Sequence, residues 1–190
     1  MIRLFVAIPL PEDLRQRLGG LCAGVPGAKW VRPENLHLSL RFIGEVEETL
    51  MDDIDGALGR IRSPAFEVTF REVGRFETGR QPRVLWVGIE RCPPLERLHD
   101  KIEAAITGQG LDPEPRKFKP HVTLARLKNS SPARVGAYLS VHGLFRHGPV
   151  PVECFTLFSS RLGKSGAVYR AEAEYPLDPA PPAQGFLPAP

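Results

Sequence analysis

The sequence contains one short pattern twice: histidine, an apolar residue, a residue with a hydroxyl group, and leucine. The pattern occupies residues 37–40 and again residues 121–124, where serine and threonine supply the hydroxyl groups. In a β-strand successive side chains point to opposite faces, so each copy predicts an imidazole and a hydroxyl on one face and two apolar side chains on the other. Two such strands could hold a phosphate group from opposite sides, because imidazole transfers protons and a hydroxyl donates hydrogen bonds.

The two copies lie in two halves of the chain that follow the same order. Each half has an apolar strand, a helix opened by proline, the histidine strand and a second helix. The apolar runs 4–8 and 85–89 are 81 residues apart, and His37 and His121 are 84 residues apart. A nearly constant offset indicates an internal duplication. We therefore expect an α+β fold with two lobes, in which two pseudo-symmetric antiparallel sheets face a central cleft and the helices lie outside.

Hydrophobic periodicity and the positions of proline and glycine locate the other elements. Helices are predicted from residue 11 for about three turns, over 45–62, from 93 to about 108, and over 131–139. Residues 74–82 are expected to form an exposed loop. The domain is predicted to span residues 1–177, and the proline-rich residues 178–190 to form a disordered tail.

Composition limits the class of protein. With 42% apolar residues the chain can bury a proper core, and its net charge of +3 permits an anionic ligand without requiring one. Cys22, Cys92 and Cys154 form no CxxC pair, so we expect neither a disulfide framework nor a zinc site. The sequence shows no signal peptide and no apolar run long enough to span a membrane. We expect a reduced, cytoplasmic protein that acts as a monomer.

Four segments carry a resemblance to a known family: LFVAIP at 4–9, RPENLHLSLRFIG at 32–44, KPHVTLAR at 119–126, and the stretch 160–169 with Gly166. Through them the chain resembles the two-histidine phosphoesterases, and within these the bacterial and archaeal RNA 2′,3′-cyclic phosphodiesterases, historically called 2′-5′ RNA ligases. The resemblance extends from residue 4 to residue 177. It implies a bilobal α+β fold, RNA ends with a 2′,3′-cyclic phosphate as substrate, nucleotides as further ligands, and a 2′-phosphomonoester as product.

The resemblance also implies roles for the two histidines: His37 is the general acid and His121 the general base. The family has threonine in both motifs, whereas this chain has Ser39 in the first. Serine keeps the hydroxyl but loses the methyl group that stiffens the rotamer. We expect the hydrogen-bond donor to survive with slightly less preorganisation.

The chemistry also follows from the residues. Opening a cyclic phosphate requires water to attack phosphorus opposite the departing ribose oxygen, so a base and an acid are needed on opposite sides. Ser39 and Thr123 would donate hydrogen bonds to the non-bridging oxygens. Arg126 is a further candidate phosphate ligand. It lies three residues after Thr123, so in a regular strand its side chain would point to the opposite face. It could reach the phosphate only if the strand ends or twists there.

Other functions remain open from the sequence. A metal hydrolase is disfavoured because His121 has no other histidine, cysteine or acidic residue within four positions and His37 has only Glu34, so we expect no metal and no cofactor. A binding module could hold a nucleotide or an RNA end in the same cleft without turnover. Reversible RNA joining would use the same proton transfers, with a ribose hydroxyl in place of water. Turnover of a cyclic nucleotide end distinguishes an enzyme from a binding module.

Overall fold

A computed structural model describes residues 1–163 and 166–179, which form strands and helices in the following order. In chain order they are β1 (Ile2–Pro9), α1 (Glu12–Gly19), β2 (Ala28–Trp30), a 3₁₀ turn (Pro33–Asn35), β3 (His37–Val46), α2 (Glu48–Leu58), β4 (Phe66–Thr78), β5 (Gln81–Ile89), α3 (Pro93–Thr107), β6 (His121–Leu127), α4 (Pro132–His142), β7 (Arg146–Val152), β8 (Cys154–Gly163) and β9 (Gly166–Pro176). Within these ranges no helix is long and apolar enough to cross a membrane.

The strands pair antiparallel in the order β7-β4-β5-β6-β3-β1-β8-β9, and β2 pairs with β6. One lobe contributes β3, β1, β8 and β9, and the other contributes β6, β5, β4 and β7. The predicted α+β class with antiparallel lobes is confirmed. The two lobe sheets meet where Leu38 of β3 pairs with Val122 of β6, so hydrogen bonding runs through both as one sheet.

The strand order of the two lobes follows the predicted duplication. β1, which carries the first apolar run, lies between β3 and β8. β5, which carries the second, lies between β6 and β4, so each run is next to a histidine strand. Leu38 and Val122 have the same sequence separation as the two histidines that precede them. The pseudo-twofold axis therefore passes between this residue pair, and the two histidines are related by it.

One apolar face of each helix contributes to the core. The helix residues that are fully buried include Leu14, Leu18, Ile54, Leu58, Leu95, Leu98, Ile102, Ile106 and Val135. They recur at three- and four-residue spacing, as expected for helices that pack one stripe against a sheet. Leu38 and Val122 belong to the same core, so the opposite face of their strands is left for the polar residues of both motifs.

Two predicted boundaries in the middle of the chain are wrong. Residues 74–82 are not a loop but the end of β4 and the start of β5, joined by a turn at 79–80. Gly44, with a φ of 97°, does not end β3, which continues to the buried Val46. Helix α2 consequently begins at Glu48 and is shorter than predicted.

The predicted start of the tail also requires correction at one residue. The backbone N–H of Asp178 donates to the carbonyl of Ser63 at 2.8 Å, and the N–H of Ala65 donates to the carbonyl of Asp178 at 2.7 Å. Asp178 is thus held on the body of the protein rather than belonging to a disordered segment. The rest of the predicted tail, from residue 180, lies outside the described residues.

Candidate active site

The two histidines begin adjacent strands of the sheet, His37 in β3 and His121 in β6. Directly opposite residues of an antiparallel pair share one face of the sheet. From the Leu38–Val122 pair, continuing the register by one residue in each direction brings His37 beside Thr123 and His121 beside Ser39. The four predicted side chains therefore form one cluster on one face, with each imidazole opposite the hydroxyl of the other motif.

Each imidazole is held by a main-chain carbonyl two residues before it. His37 Nδ1–H donates to the carbonyl of Asn35 at 2.7 Å, and His121 Nδ1–H donates to the carbonyl of Lys119 at 2.6 Å. A carbonyl only accepts hydrogen bonds, so it fixes the proton on Nδ1. Nε2 is then the nitrogen available for chemistry: it accepts a proton when the ring is neutral and donates one when the ring is charged.

Burial lowers the pKa of both histidines. For His37 desolvation is the main cause, the Asn35 carbonyl opposes it, and the positive charge of a protonated His121 lowers the pKa further. For His121 desolvation again dominates and the Lys119 carbonyl partly opposes it. Both rings consequently favour the neutral form.

Aromatic rings surround each imidazole. The ring centroid of His37 lies 4.9 Å from that of Phe5 and 5.4 Å from that of Tyr169, which meets it edge-on. His121 meets Phe76 edge-on at 4.9 Å, and Phe76 lies 5.4 Å from Trp86. These contacts restrict rotation of the imidazoles and shield them from water, which accounts for their lowered pKa values.

These aromatic neighbours were not predicted from the sequence as part of the site. Tyr169 belongs to β9 and Phe76 to β4, strands that are distant in sequence from the histidines they contact. A partial signal was present, because Phe5 and Trp86 occupy matching positions in the two duplicated apolar runs.

The two motif hydroxyls are available to a ligand. Ser39 is exposed and Thr123 is half-buried. Within the part of the chain that the structure describes, neither hydroxyl has a hydrogen-bond partner in the protein. Both can therefore donate to an anion held between the histidines.

The position of Arg126 depends on a β-bulge. Along β6 Thr123 pairs with Trp86 of β5, but Ala125 pairs with Leu85, so Leu124 is an extra residue without its own partner. A bulge of this kind reverses the alternation of side chains beyond it. Leu124 and Ala125 are both fully buried, while Arg126 is exposed. Arg126 therefore shares the face of His121 and Thr123, which strict alternation of the sequence would not allow.

A pocket of about 800 Å³ opens beside His121 on the side of the second lobe. Its lining combines aromatic and charged side chains, among them Phe76, Trp86, Phe118, Arg71, Arg91 and Lys119. His37 does not line this pocket, which therefore extends the histidine cluster to one side. It provides space for part of a ligand larger than a phosphate group.

Comparisons with known proteins agree with this geometry. A family model described as the 2′-5′ RNA ligase superfamily matches residues 4–159. The chain belongs to this superfamily. It is similar to an RNA 2′,3′-cyclic phosphodiesterase from Aeropyrum pernix, with 40% identity over 77% of this chain and 84% of the relative. Another RNA 2′,3′-cyclic phosphodiesterase, from Archaeoglobus fulgidus, is 31% identical over 89% of this chain and 97% of the relative.

A solved structure of E. coli LigT in complex with 3′-AMP has a similar fold. Its TM-score is 0.76 with 28% sequence identity, and the match covers 93% of this chain and 98% of that chain. The family resemblance inferred from the motifs is thus confirmed, as is the α+β fold that it implied.

The side chains that could bind a metal ion are spread over the described part of the chain. In residues 1–163 and 166–179 no group of three or more histidine, cysteine, aspartate or glutamate side chains is arranged to hold a metal ion. The histidine cluster instead offers hydroxyl, imidazole and guanidinium groups, which suit an anionic ligand.

Proposed function

We propose that this protein hydrolyses the 2′,3′-cyclic phosphodiester at RNA ends to a 2′-phosphomonoester, with His37 as general acid and His121 as general base. One observation carries the proposal: two half-buried imidazoles from two lobes share a sheet face, each with Nδ1 committed to a main-chain carbonyl. This arrangement offers two Nε2 atoms to a single phosphate. The activities named for the relatives support the same reaction.

The proton transfers follow from the state of each ring. Neutral His121 accepts a proton at Nε2 from the water whose oxygen attacks phosphorus. Protonated His37 donates its Nε2 proton to the departing 3′ oxygen as the bond from that oxygen to phosphorus breaks. The step leaves a 2′-phosphate, a 3′-hydroxyl, a protonated His121 and a neutral His37. Exchange of one proton with solvent at each ring restores the starting state.

Charge on the phosphate is held by the remaining residues of the cluster. Ser39 and Thr123 donate hydrogen bonds to the non-bridging oxygens, and Arg126 adds a positive charge on the same face. Such donors assist the reaction because negative charge increases on these oxygens in the transition state. None of the three has a hydrogen-bond or ion-pair partner among the described residues, so all three can contact the substrate.

The experiment uses oligonucleotides with a 2′,3′-cyclic phosphate end and identifies the product by phosphorus NMR. The expected result is hydrolysis to a single product with a 2′-phosphate. A 3′-phosphate, a mixture of both isomers, or an absence of turnover would contradict the proposal. Absence of turnover with tight binding would point instead to a binding module.

A second activity, 2′-5′ RNA ligation, is favoured by the superfamily to which the chain belongs. It requires a ribose 5′-hydroxyl to take the place of water as the group that attacks phosphorus, while the same 3′ oxygen departs. Because water is far more concentrated than any RNA hydroxyl, hydrolysis should dominate. Incubating a 2′,3′-cyclic end with an excess of a 5′-hydroxyl oligonucleotide measures the fraction of joined product.

The ligands are RNA ends and nucleotides, and the site is built within one chain, which supports action as a monomer. The free, part-buried thiols of Cys22, Cys92 and Cys154 are compatible with a reducing cytoplasm. The reaction uses no metal, so turnover should persist in a chelator. Loss of activity that one divalent ion restores would overturn this part.

A further inference from the structure

Two cations face one another on the polar face of the sheet, beyond the histidine cluster. Lys29 of β2 is paired directly with Arg126 of β6, and both side chains are exposed. The next pair of the same ladder, Trp30 and the buried Ala125, lies on the opposite face of the sheet. There the ring centroid of Trp30 lies 5.8 Å from that of Tyr138 in α4. Lys29 therefore shares the face of Arg126, His121 and Thr123.

Like charges directly opposite one another in a sheet are destabilising. Two other arginines on the sheet have carboxylate partners: Arg3 contacts Glu45 at 2.7 Å, and Arg75 contacts Glu77 at 2.6 Å. Neither Lys29 nor Arg126 forms an ion pair with any described residue. An anion held between them would relieve their repulsion.

Lys29 and Arg126 lie close enough to the histidine cluster to contact the same RNA chain. Arg126 lies three residues beyond Thr123 along β6, a distance of about 10 Å before the bulge shortens it. The guanidinium has five donors on a long side chain and can contact two adjacent phosphates. Lys29 lies beside Arg126 on the edge of β6 that also pairs with β3.

We propose that Lys29, together with Arg126, forms a second phosphate subsite that binds the phosphodiester on the 5′ side of the terminal nucleoside of RNA. The inference rests on the proposed function. A chain with a 2′,3′-cyclic end carries further phosphates only on its 5′ side, so a second bound phosphate must come from there. A cyclic mononucleotide lacks this group, and the subsite consequently favours an RNA chain over a mononucleotide.

The experiment compares kcat/KM for a dinucleotide with a 2′,3′-cyclic end and for 2′,3′-cyclic AMP with a free 5′-hydroxyl. Replacing Lys29→Gln should reduce the ratio of the two values by about 1.5-fold to fivefold, the range for one exposed charged contact. The log–log salt dependence for the dinucleotide should become shallower by about 0.7, as for one phosphate contact of a single strand. Lys101→Gln removes the same charge from α3, away from the cleft, and should leave the ratio at its wild-type value.

Several results would overturn the inference. An unchanged ratio in the Lys29 variant, or an equal fall in the Lys101 variant, would show that Lys29 has no specific contact. A fall seen only with a 5′-phosphorylated cyclic mononucleotide would assign the subsite to free nucleotides rather than to RNA. The same variants can also be compared without turnover. The quantity measured is then the ratio of the affinity for a dinucleotide with a 2′-phosphate end to the affinity for 2′-AMP. Failure of the hydrolysis proposal therefore leaves this comparison decisive.

Discussion

The indole of Trp86 lies directly against the backbone of Gly74, its partner across the β4–β5 pairing. A Cβ atom at position 74 would lie 2.2 Å from Cη2 of the indole, far inside van der Waals contact. Trp86 in turn lies beside Phe76, whose ring meets His121 edge-on. The absence of a side chain at Gly74 is thus connected, through two aromatic rings, to the orientation of the proposed base.

Gly74→Ala should therefore reduce activity, although position 74 touches neither histidine. The added methyl group must displace Trp86, which removes the support of Phe76 and allows His121 to rotate. A small misplacement of a catalytic group can cost up to about 100-fold in rate, and overpacking costs about 1–3 kcal/mol of stability. Measurements of kcat/KM check the loss of rate. Chemical denaturation followed by tryptophan fluorescence checks the loss of stability.

Gly136 provides the matched control for this substitution. It lies inside α4, and a Cβ atom there would meet no other atom within 4 Å. Gly136→Ala should raise the free energy of unfolding by about 0.5–1 kcal/mol, because alanine favours the helix. It should leave kcat/KM unchanged. Equal activity of the two variants would show that the contact between Gly74 and Trp86 does not matter for catalysis.

The lowered pKa values predict an acidic optimum for kcat/KM. Activity should rise with pH as His121 loses its proton and fall as His37 loses its own. Both limbs should lie below the ordinary histidine value of about 6.5, because burial lowers both pKa values. A bound phosphate stabilises the charged form of His37, so the descending limb of kcat should lie at higher pH than that of kcat/KM. A descending limb of kcat/KM above pH 7 would contradict this account.

The buried Arg41 connects β3 to α3 and to the segment that leads to β6. Its Nε lies 2.7 Å from Glu103, in an ion pair too poorly aligned for a hydrogen bond, and its Nη1 lies 3.4 Å from Glu114. Arg41→Met should lower the free energy of unfolding by about 3 kcal/mol, because Glu103 loses its cation in a largely buried place and Glu114 keeps only its contact with Arg116.

Chemical denaturation of paired variants measures the effect of Arg41. Arg3→Ala breaks an exposed ion pair of the same length with Glu45 and should cost less than about 1 kcal/mol. Adding Glu103→Leu to Arg41→Met should recover part of the loss, because it removes one unpaired charge. An Arg41 variant as stable as the Arg3 variant would show that burial of the pair has no energetic consequence.

The two hydroxyl residues should contribute less than the histidines. Loss of one donor from an oxyanion-type site typically costs about 10²- to 10³-fold, whereas loss of the acid or base removes a proton transfer that no neighbour replaces. Ser39→Ala and Thr123→Ala should thus retain measurable turnover. Ser39→Thr restores the family motif and should match or slightly exceed the wild type. A folded Ser39→Ala protein as inactive as a His37→Ala protein would refute the assigned roles.

The features predicted correctly from the sequence are those set by local alternation and by the duplication. Leu38 and Val122 had to face a core because each lies between polar residues of a strand, so the two motif histidines were placed on one face without a structure. The helices were located with shifts at their ends, because their apolar stripes repeat at three and four residues. The matching runs at 4–8 and 85–89 gave the lobe architecture.

The features that the sequence did not predict depend on pairing between strands. The bulge at Leu124 arises from the register with β5, so the face occupied by Arg126 was undetermined from alternation alone. The predicted loop at 74–82 is wrong because Gly74 and Pro82, which bound it, are accommodated within β4 and β5, where the pairing has a register shift between Phe76 and Glu77. The glycine that indicates a loop is the residue that admits Trp86.

The most direct test of the acid and base assignment changes the leaving atom. In a 2′,3′-cyclic substrate with sulfur in place of the 3′ oxygen, the departing thiolate needs no protonation, because a thiol has a pKa near 8.5. With the oxygen substrate, His37→Ala and His121→Ala should each reduce kcat by about 10²- to 10⁴-fold. With the sulfur substrate, His37→Ala should recover to near the wild-type rate while His121→Ala stays slow. Recovery of His121→Ala instead, or of neither variant, would contradict the roles assigned to the two histidines.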